Sequence, residues 1–287
     1  MKFGLFTIIK DEQDYLKEWL DYHIDLGIDS IYVFDDVFST SHKSICDEYK
    51  DIVIHKGILE LYDQKESEEI TRVKKSGKAI SGYQITFMYK ILNYLKDNTD
   101  LDWVFYLDID EFLTLKNKRT KLSNLFKNYS DYDIVVLQWM NYNASGNITK
   151  PKKNVVDAYT TKCQLYIGKR MSPKASSKLC FNLHTWDSNK IKTNHHIPKN
   201  GKWCKTNFST DLLEVVYDKI YIRHYITKSF DEFCNRIYVR GQIIRVKFLN
   251  DFFIFNPDIS KDDPKVQKII KKYSDMCRNG EIDLIIQ

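Results

Sequence analysis

The chain has 287 residues, is 43% hydrophobic and 14% aromatic, and carries 44 basic against 39 acidic side chains, a net charge of +5. Its length supports a full core and its apolar content excludes a disordered chain, while so mild a charge excludes a protein built around nucleic acid. Six cysteines without a Cys-x-x-Cys pair exclude a zinc ribbon and read as the reduced thiols of a cytoplasmic protein.

Lys2 to Ile9 reads as a first strand, because the apolar run meets Lys10-Asp-Glu at once and carries no cleavage pattern. Asp11 is expected to cap the helix that follows. Tyr15, Leu16, Trp19, Leu20, Ile24 and Leu26 recur there at helical spacing, and Gly27 closes it. Ser30 to Phe34 is a second strand ending in Asp35-Asp36, so the chain opens with a βαβ unit. Asp51 to His55 is a third short strand. The polar stretch 63–82 has no clean period and reads as a loop or irregular helix. Tyr83 to Lys96 is an amphipathic helix that buries Ile85, Met88, Tyr89, Leu92 and Leu95.

The run Trp103-Val-Phe-Tyr-Leu107 then passes without a break into Asp108-Ile-Asp-Glu111. A continuous apolar run suits a strand buried on both faces of a parallel sheet, and ligands of open α/β sheets bind beyond the carboxyl ends of such strands. In extended chain Asp108 and Asp110 share a face, with Glu111 turned away, and two hard oxygen donors suit Mg²⁺ or Mn²⁺. The plainer alternative is a solvated strand end that caps the next turn. Leu122 to Tyr129 follows as a helix and Asp133 to Met140 as another buried strand.

After Asn141 the texture changes to turn chemistry, with His184, Trp186, Asp187, His195, His196 and Trp203 available for polar recognition. Tyr217 to His224 is a strand, Ser229 caps a helix with Asp231 and Glu232 in its first turn, and Asp263-Pro264 opens a last helix. Basic clusters at 72–78, 116–121 and 150–153 read mainly as solvated surface. Their alternative is attraction of an anionic substrate or of lipid head groups, which leaves open a peripheral position at the inner face of a membrane. No segment is long and apolar enough to span a bilayer.

Four segments, taken in order, form a recognisable combination. They are Lys10 to His23 with Ile31 to Asp36; Phe105 to Phe112; Gln138-Trp139 through Ser145-Gly146; and His224-Tyr-Ile-Thr-Lys-Ser229 with Phe233 and Arg240-Gly241. The combination resembles glycosyltransferase family 92 and related family 2-like proteins. It departs from them at Tyr142-Asn-Ala, where Phe-Gly is more usual, and it matches loosely over 150–210.

The resemblance implies an α/β, GT-A-like (Rossmann-like) fold: a mostly parallel central sheet flanked by helices, an irregular acceptor-side region and C-terminal helices. A single domain is expected over 1–287, with a nucleotide-sugar half at 1–140, an acceptor half at 141–228 and helices at 229–287. The implied activity moves a sugar from a nucleotide-sugar, usually a UDP-sugar, to a glycan hydroxyl with inversion. Its cofactor is Mn²⁺ or Mg²⁺, held by Asp108, Asp110 and His224, with Asp108 also facing the donor.

Thr7, Lys10 and Glu12, with Asp35 and Asp36, flank a crevice for base and ribose. Gln84 reaches the donor or its metal-bound phosphates, and Lys228 a phosphate. Asp187, His184 and Asp211 are candidates for the general base, Asp187 first because Trp186 beside it offers a ring for a sugar to stack on. The partners are then a nucleotide-sugar donor and a glycan acceptor, with no nucleic acid; the oligomeric state is left open. Two other classes stay open at this point: a non-catalytic sugar or nucleotide binder on the same fold, and a metal-dependent phosphotransferase or nuclease using the same carboxylates.

Overall fold

The computed structural model describes residues 1–36, 40–75, 83–163, 177–187, 203–205, 219–239 and 249–279. His195, His196, Asp211 and Arg240-Gly241 lie outside these, as does the side chain of Gln84. The chain forms two compact units, 1–139 with 172–222 and 140–171 with 223–287.

The first unit is built on a sheet. Its early elements are β1 (Phe3–Ile9), α1 (Gln13–Asp25), β2 (Ser30–Asp35), α2 (Thr40–Asp47), β3 (Val53–Gly57), α3 (Gln64–Lys75) and α4 (Tyr83–Asn98). Then come β4 (Trp103–Tyr106), β5 (Glu111–Leu115), α5 (Leu122–Phe126) and β6 (Ile134–Asn141). After the short α6 (Val155–Ala158) of the second unit, the sheet gains β7 (Ser177–Asn182), β8 (Trp203–Lys205) and β9 (Ile220–His224). The strand order is β3-β2-β1-β4-β7-β6-β9-β5, with β8 paired to β6.

Parallel pairing joins β1 to β2 and β4, and β2 to β3, as the alternation of strands and helices leads one to expect. The expectation of a mostly parallel sheet holds overall, β8 also running parallel to β6, and needs correction at one strand. β7 lies antiparallel to both of its neighbours, β4 and β6. The sequence hides this strand because its six residues, Ser-Lys-Leu-Cys-Phe-Asn, carry a lysine and no clean alternation.

One layer of core packs Phe6, Phe34, Tyr106, Val136 and Phe181 of the sheet against Phe87, Ile91, Leu92 and Leu95 of α4. Phe6 and Tyr106 stack at 4.9 Å between ring centroids. On α1, Tyr15, Leu16, Trp19, Leu20 and His23 are buried. Burying each large side chain contributes about 1.5–3 kcal/mol, which is how a helix without a side-chain cap is held. That missing cap is a second correction: Glu12 occupies the N-cap position, while Asp11 takes a left-handed turn at φ 55°. Gly27, at φ 94°, closes the helix as expected.

Of the stretch 63–82, residues 64–75 form the helix α3, so the helical alternative holds there. A reciprocal cap starts α3 there: Glu66 N–H donates to Asp63 Oδ1 at 2.8 Å, and Asp63 N–H to Glu66 Oε2 at 3.3 Å.

The second unit packs α7 (Phe230–Cys234), a π-helical turn (Asn235–Val239), α8 (Leu249–Phe255) and α9 (Pro264–Arg278) around Phe230, Phe233, Phe252, Val266 and Tyr273. Both expected caps are present. Ser229 Oγ accepts from Glu232 N–H, and Asp263 Oδ1 accepts from Lys265 N–H with Pro264 at the first helical position. Among the described residues no helix is long and apolar enough to cross a membrane.

Candidate active site

Because β1, β2 and β4 run parallel in register, their carboxyl ends share one edge of the sheet. That edge gathers Thr7 to Glu12, Asp35-Asp36 and the turn after Tyr106. Asp108 and Asp110 are not in extended chain. Residues 107–110 turn between β4 and β5, closed by Glu111 N–H donating to the Asp108 carbonyl at 3.0 Å. The shared-face argument from alternation therefore fails, and Glu111 folds back toward the pair instead of pointing away. Its Oε2 accepts from Asp108 N–H at 2.9 Å. Trp19 fixes the start of β5 from the helix side, its Nε1–H donating to the Glu111 carbonyl at 2.8 Å.

The turn also holds a residue that sequence reasoning missed. Lys178 of β7 sends its ammonium to within 2.7 Å of Asp108 Oδ2 and 3.5 Å of Glu111 Oε2, and 4.1 Å from the centre of the Tyr106 ring. Burial works against the Lys178 ammonium, but the Asp108 and Glu111 carboxylates outweigh it, so its pKa is raised above the ordinary value. Burial pushes the Glu111 carboxyl well above the usual carboxylate range. Asp108 and Asp110 add to the rise and Lys178 opposes it.

Asp110 is buried, and it and Glu111 each offer a carboxylate oxygen within 4.8 Å of the other. The second Glu111 oxygen, Oε1, is buried and has no hydrogen-bond partner among the described residues. Such a donor set fits a hard divalent cation, which takes carboxylate oxygens and would satisfy the orphaned one.

Further along the edge, Asp35 is buried rather than open to a ligand. Its Oδ2 lies 2.8 Å from His42 Nδ1 and 3.3 Å from His55 Nε2. His42 in turn accepts from Glu12 N–H through Nε2 at 3.2 Å, so Nδ1 carries the hydrogen donated to Asp35. Two of the expected base-pocket residues, Asp35 and Glu12, are thus joined by a histidine that sequence spacing did not single out. Asp36 is half-buried, and its N–H donates to the Ile9 carbonyl at 2.9 Å. Thr7 Oγ1 is buried at the same edge without a hydrogen-bond partner among the described residues, and Lys10 is exposed.

The structure separates His184 and Asp187 from this edge. His184 Nε2 meets Asp102 Oδ1 at 2.6 Å, just before β4 begins and so at the end of the strand opposite the acidic turn. Trp186 is a core residue: it packs against Phe181, and its Nε1–H donates to Asn93 at 2.8 Å, which leaves no free face for a sugar beside the exposed Asp187. The position of both residues removes the argument for either as the general base.

In the second unit, His224 is buried with Nδ1 2.9 Å from Asn141 Oδ1. Lys228 holds a left-handed φ of 52° although it is nearly buried, an uncommon strain for a residue with a side chain. Gln84 lies in the first turn of α4.

Against known families, residues 7–253 match the model of glycosyltransferase family 92. The chain belongs to glycosyltransferase family 92. This family 92 protein is accordingly a glycosyltransferase, and its architecture is α/β, with the strand directions given above. No curated protein matches the sequence.

Among solved structures, Staphylococcus aureus TarS 1–349 in complex with UDP is similar to the family 92 chain at 14% identity and a TM-score of 0.43, covering 98% of this chain and 92% of its own. Glucosyl-3-phosphoglycerate synthase of Mycobacterium tuberculosis, with Mn²⁺, UDP and glucosyl-3-phosphoglycerate, is similar at 8% identity and a TM-score of 0.34, covering 64% and 57%. Mannosyl-3-phosphoglycerate synthase of Rubrobacter xylanophilus gives 12% and 0.35, covering 64% and 54%. With TM-scores this low, the assignment rests on the family match.

Proposed function

We propose that this glycosyltransferase moves a sugar from a UDP-sugar to a glycan hydroxyl, with inversion, using Mn²⁺ or Mg²⁺ at the acidic turn. The observation that carries the reading is the pair Asp110 and Glu111, whose oxygens lie within 4.8 Å of one another at the carboxyl end of β4. When bound, the divalent ion would neutralise charge on the departing nucleoside diphosphate, which is Lewis-acid work.

The chain's own groups divide the remaining tasks. Asp110 is the direct carboxylate ligand, and His224 is proposed as a further ligand on the strength of its His-Tyr-x-x-Lys-Ser motif. Lys10, Glu12 and Asp36 line the place for base and ribose, with the buried Thr7 and Asp35 behind them as fixed supports. Lys228 contacts a phosphate, which gives a reason for a strained lysine backbone.

The test is sugar release from UDP-sugars, with and without a glycan acceptor, measured with Mn²⁺ and with chelator. Metal-dependent turnover that is lost in Asp110→Ala is expected. Undiminished turnover in chelator would remove the metal from the proposal, and binding of UDP-sugar without any turnover would leave a binding protein.

A further inference from the structure

Three carboxyl groups within four residues, Asp108, Asp110 and Glu111, make a turn that repels itself. The fold answers with one ammonium. The β4–β7 register pairs Phe105 with Cys180, and counting on by two residues sets Lys178 level with Leu107, at the mouth of the turn. Lys178 is 2% exposed, a depth at which lysine is rare unless paired. Its contacts are unequal: 2.7 Å to Asp108, 3.5 Å to Glu111 and the face of Tyr106 at 4.1 Å. An oxygen of Asp108 that accepts a hydrogen bond from a buried ammonium is poorly placed to bind a second cation.

Resting on the metal reading above, we infer that Lys178 is a resident cation of the site, holding Asp108 aside so that Asp110 is the carboxylate a divalent ion takes directly. The same charge stands near any incoming metal and repels it. The bare protein therefore takes Mn²⁺ weakly, and the ion enters together with a diphosphate, whose negative charge offsets Lys178. Lys178 is thus a positioning residue that couples metal binding to donor binding.

Calorimetry with Mn²⁺ alone, with UDP alone and with both tests this without relying on turnover. In the wild-type protein Mn²⁺ is expected to bind at least about 10-fold more tightly when UDP is present. Asp108→Asn is expected to change that affinity less than about 3-fold, whereas Asp110→Asn lowers it by at least about 10- to 100-fold, the loss that removing even an outer-shell partner of a metal ligand causes. Lys178→Met frees Asp108, so it is expected to raise affinity for Mn²⁺ alone by about 10-fold and to shrink the gain from UDP.

Equal losses in Asp108→Asn and Asp110→Asn, or unchanged Mn²⁺ affinity in Lys178→Met, would overturn the inference. If Lys178→Met does not fold, the Asp108→Asn and Asp110→Asn comparison decides alone. A wild-type protein whose UDP binding ignores Mn²⁺ altogether would instead strike the metal reading itself, and the inference with it.

Discussion

His42 and Asp35 meet at the end of β2 with both side chains fully shielded from solvent, Nδ1 to Oδ2 at 2.8 Å. Since the other ring nitrogen accepts from Glu12 N–H, one imidazole fixes both the carboxylate and the turn that leads into α1. His42→Ala leaves a buried carboxylate short of a donor and a backbone N–H without an acceptor. A loss of about 1–3 kcal/mol per stranded group is expected in denaturant unfolding. UDP binding should weaken while Mn²⁺ binding alone does not change. Wild-type UDP affinity in a folded variant would confine His42 to stability.

Asp110→Ala is expected to abolish transfer and leave the fold intact. Glu111 is fully buried beside Asp110, and removing one like charge relieves the other. The metal-free melting temperature should therefore hold or rise. A variant with full activity would end the assignment of Asp110 as a ligand.

His23 sets a pH dependence that has nothing to do with the site. Burial lowers its pKa from 6.5 to about 3, and the bond to the Trp19 carbonyl opposes this only in part. Nε2 accepts from Leu113 N–H at 3.2 Å, so a proton there would set donor against donor. The folded pKa lies below the unfolded one. The contribution is thus complete above pH 6.5 and is lost as pH falls from there toward 3. The slope for this one proton is about 1.4 kcal/mol per pH unit. His23→Gln should be less stable at neutral pH and should show a shallower fall between pH 6 and 4 in chemical denaturation. Parallel curves for the two proteins would refute the assignment.

Nucleotide choice is the fourth expectation. The base pocket proposed at the Thr7-to-Glu12 segment and Asp36 would suit uracil better than a purine, so UDP should bind more tightly than ADP or GDP by calorimetry. Equal affinities would leave only phosphate contacts and remove the base pocket.

Much of the fold was legible because β1, α1, β2 and α4 carry strong periods and end where glycine or acids end them. The caps at Ser229 and Asp263 were legible for the same local reason. β7 was not, since its strand identity comes from being sandwiched between β4 and β6 rather than from its own six residues. At the site, the acidic stretch announced itself by following an apolar run, but its conformation did not, because alternation presumes a strand where the chain makes a turn. Lys178 and His42 were invisible for a common reason: no local pattern marks a lysine or histidine for burial, and Lys178 meets Asp108 70 residues away while His42 joins Asp35 to Glu12, 30 residues before it. Trp186 misled in the opposite direction, since an aromatic beside an aspartate looks the same on paper in a sugar site and in a core.

The antiparallel placement of β7 has a consequence for the order in which the molecule is made. Lys178 reaches Asp108 across 70 residues of chain, and β7 must slot between two strands synthesised before it. Pairings of such long range form slowly, because the intervening loop has to close first. During synthesis the β1–β4 block therefore carries its three acids without their counter-ion until the later segment arrives. Pulse-labelled amide exchange during refolding should find β1 and β2 protected first and β7 afterwards. The acidic turn is written 70 residues ahead of the lysine that completes it electrically.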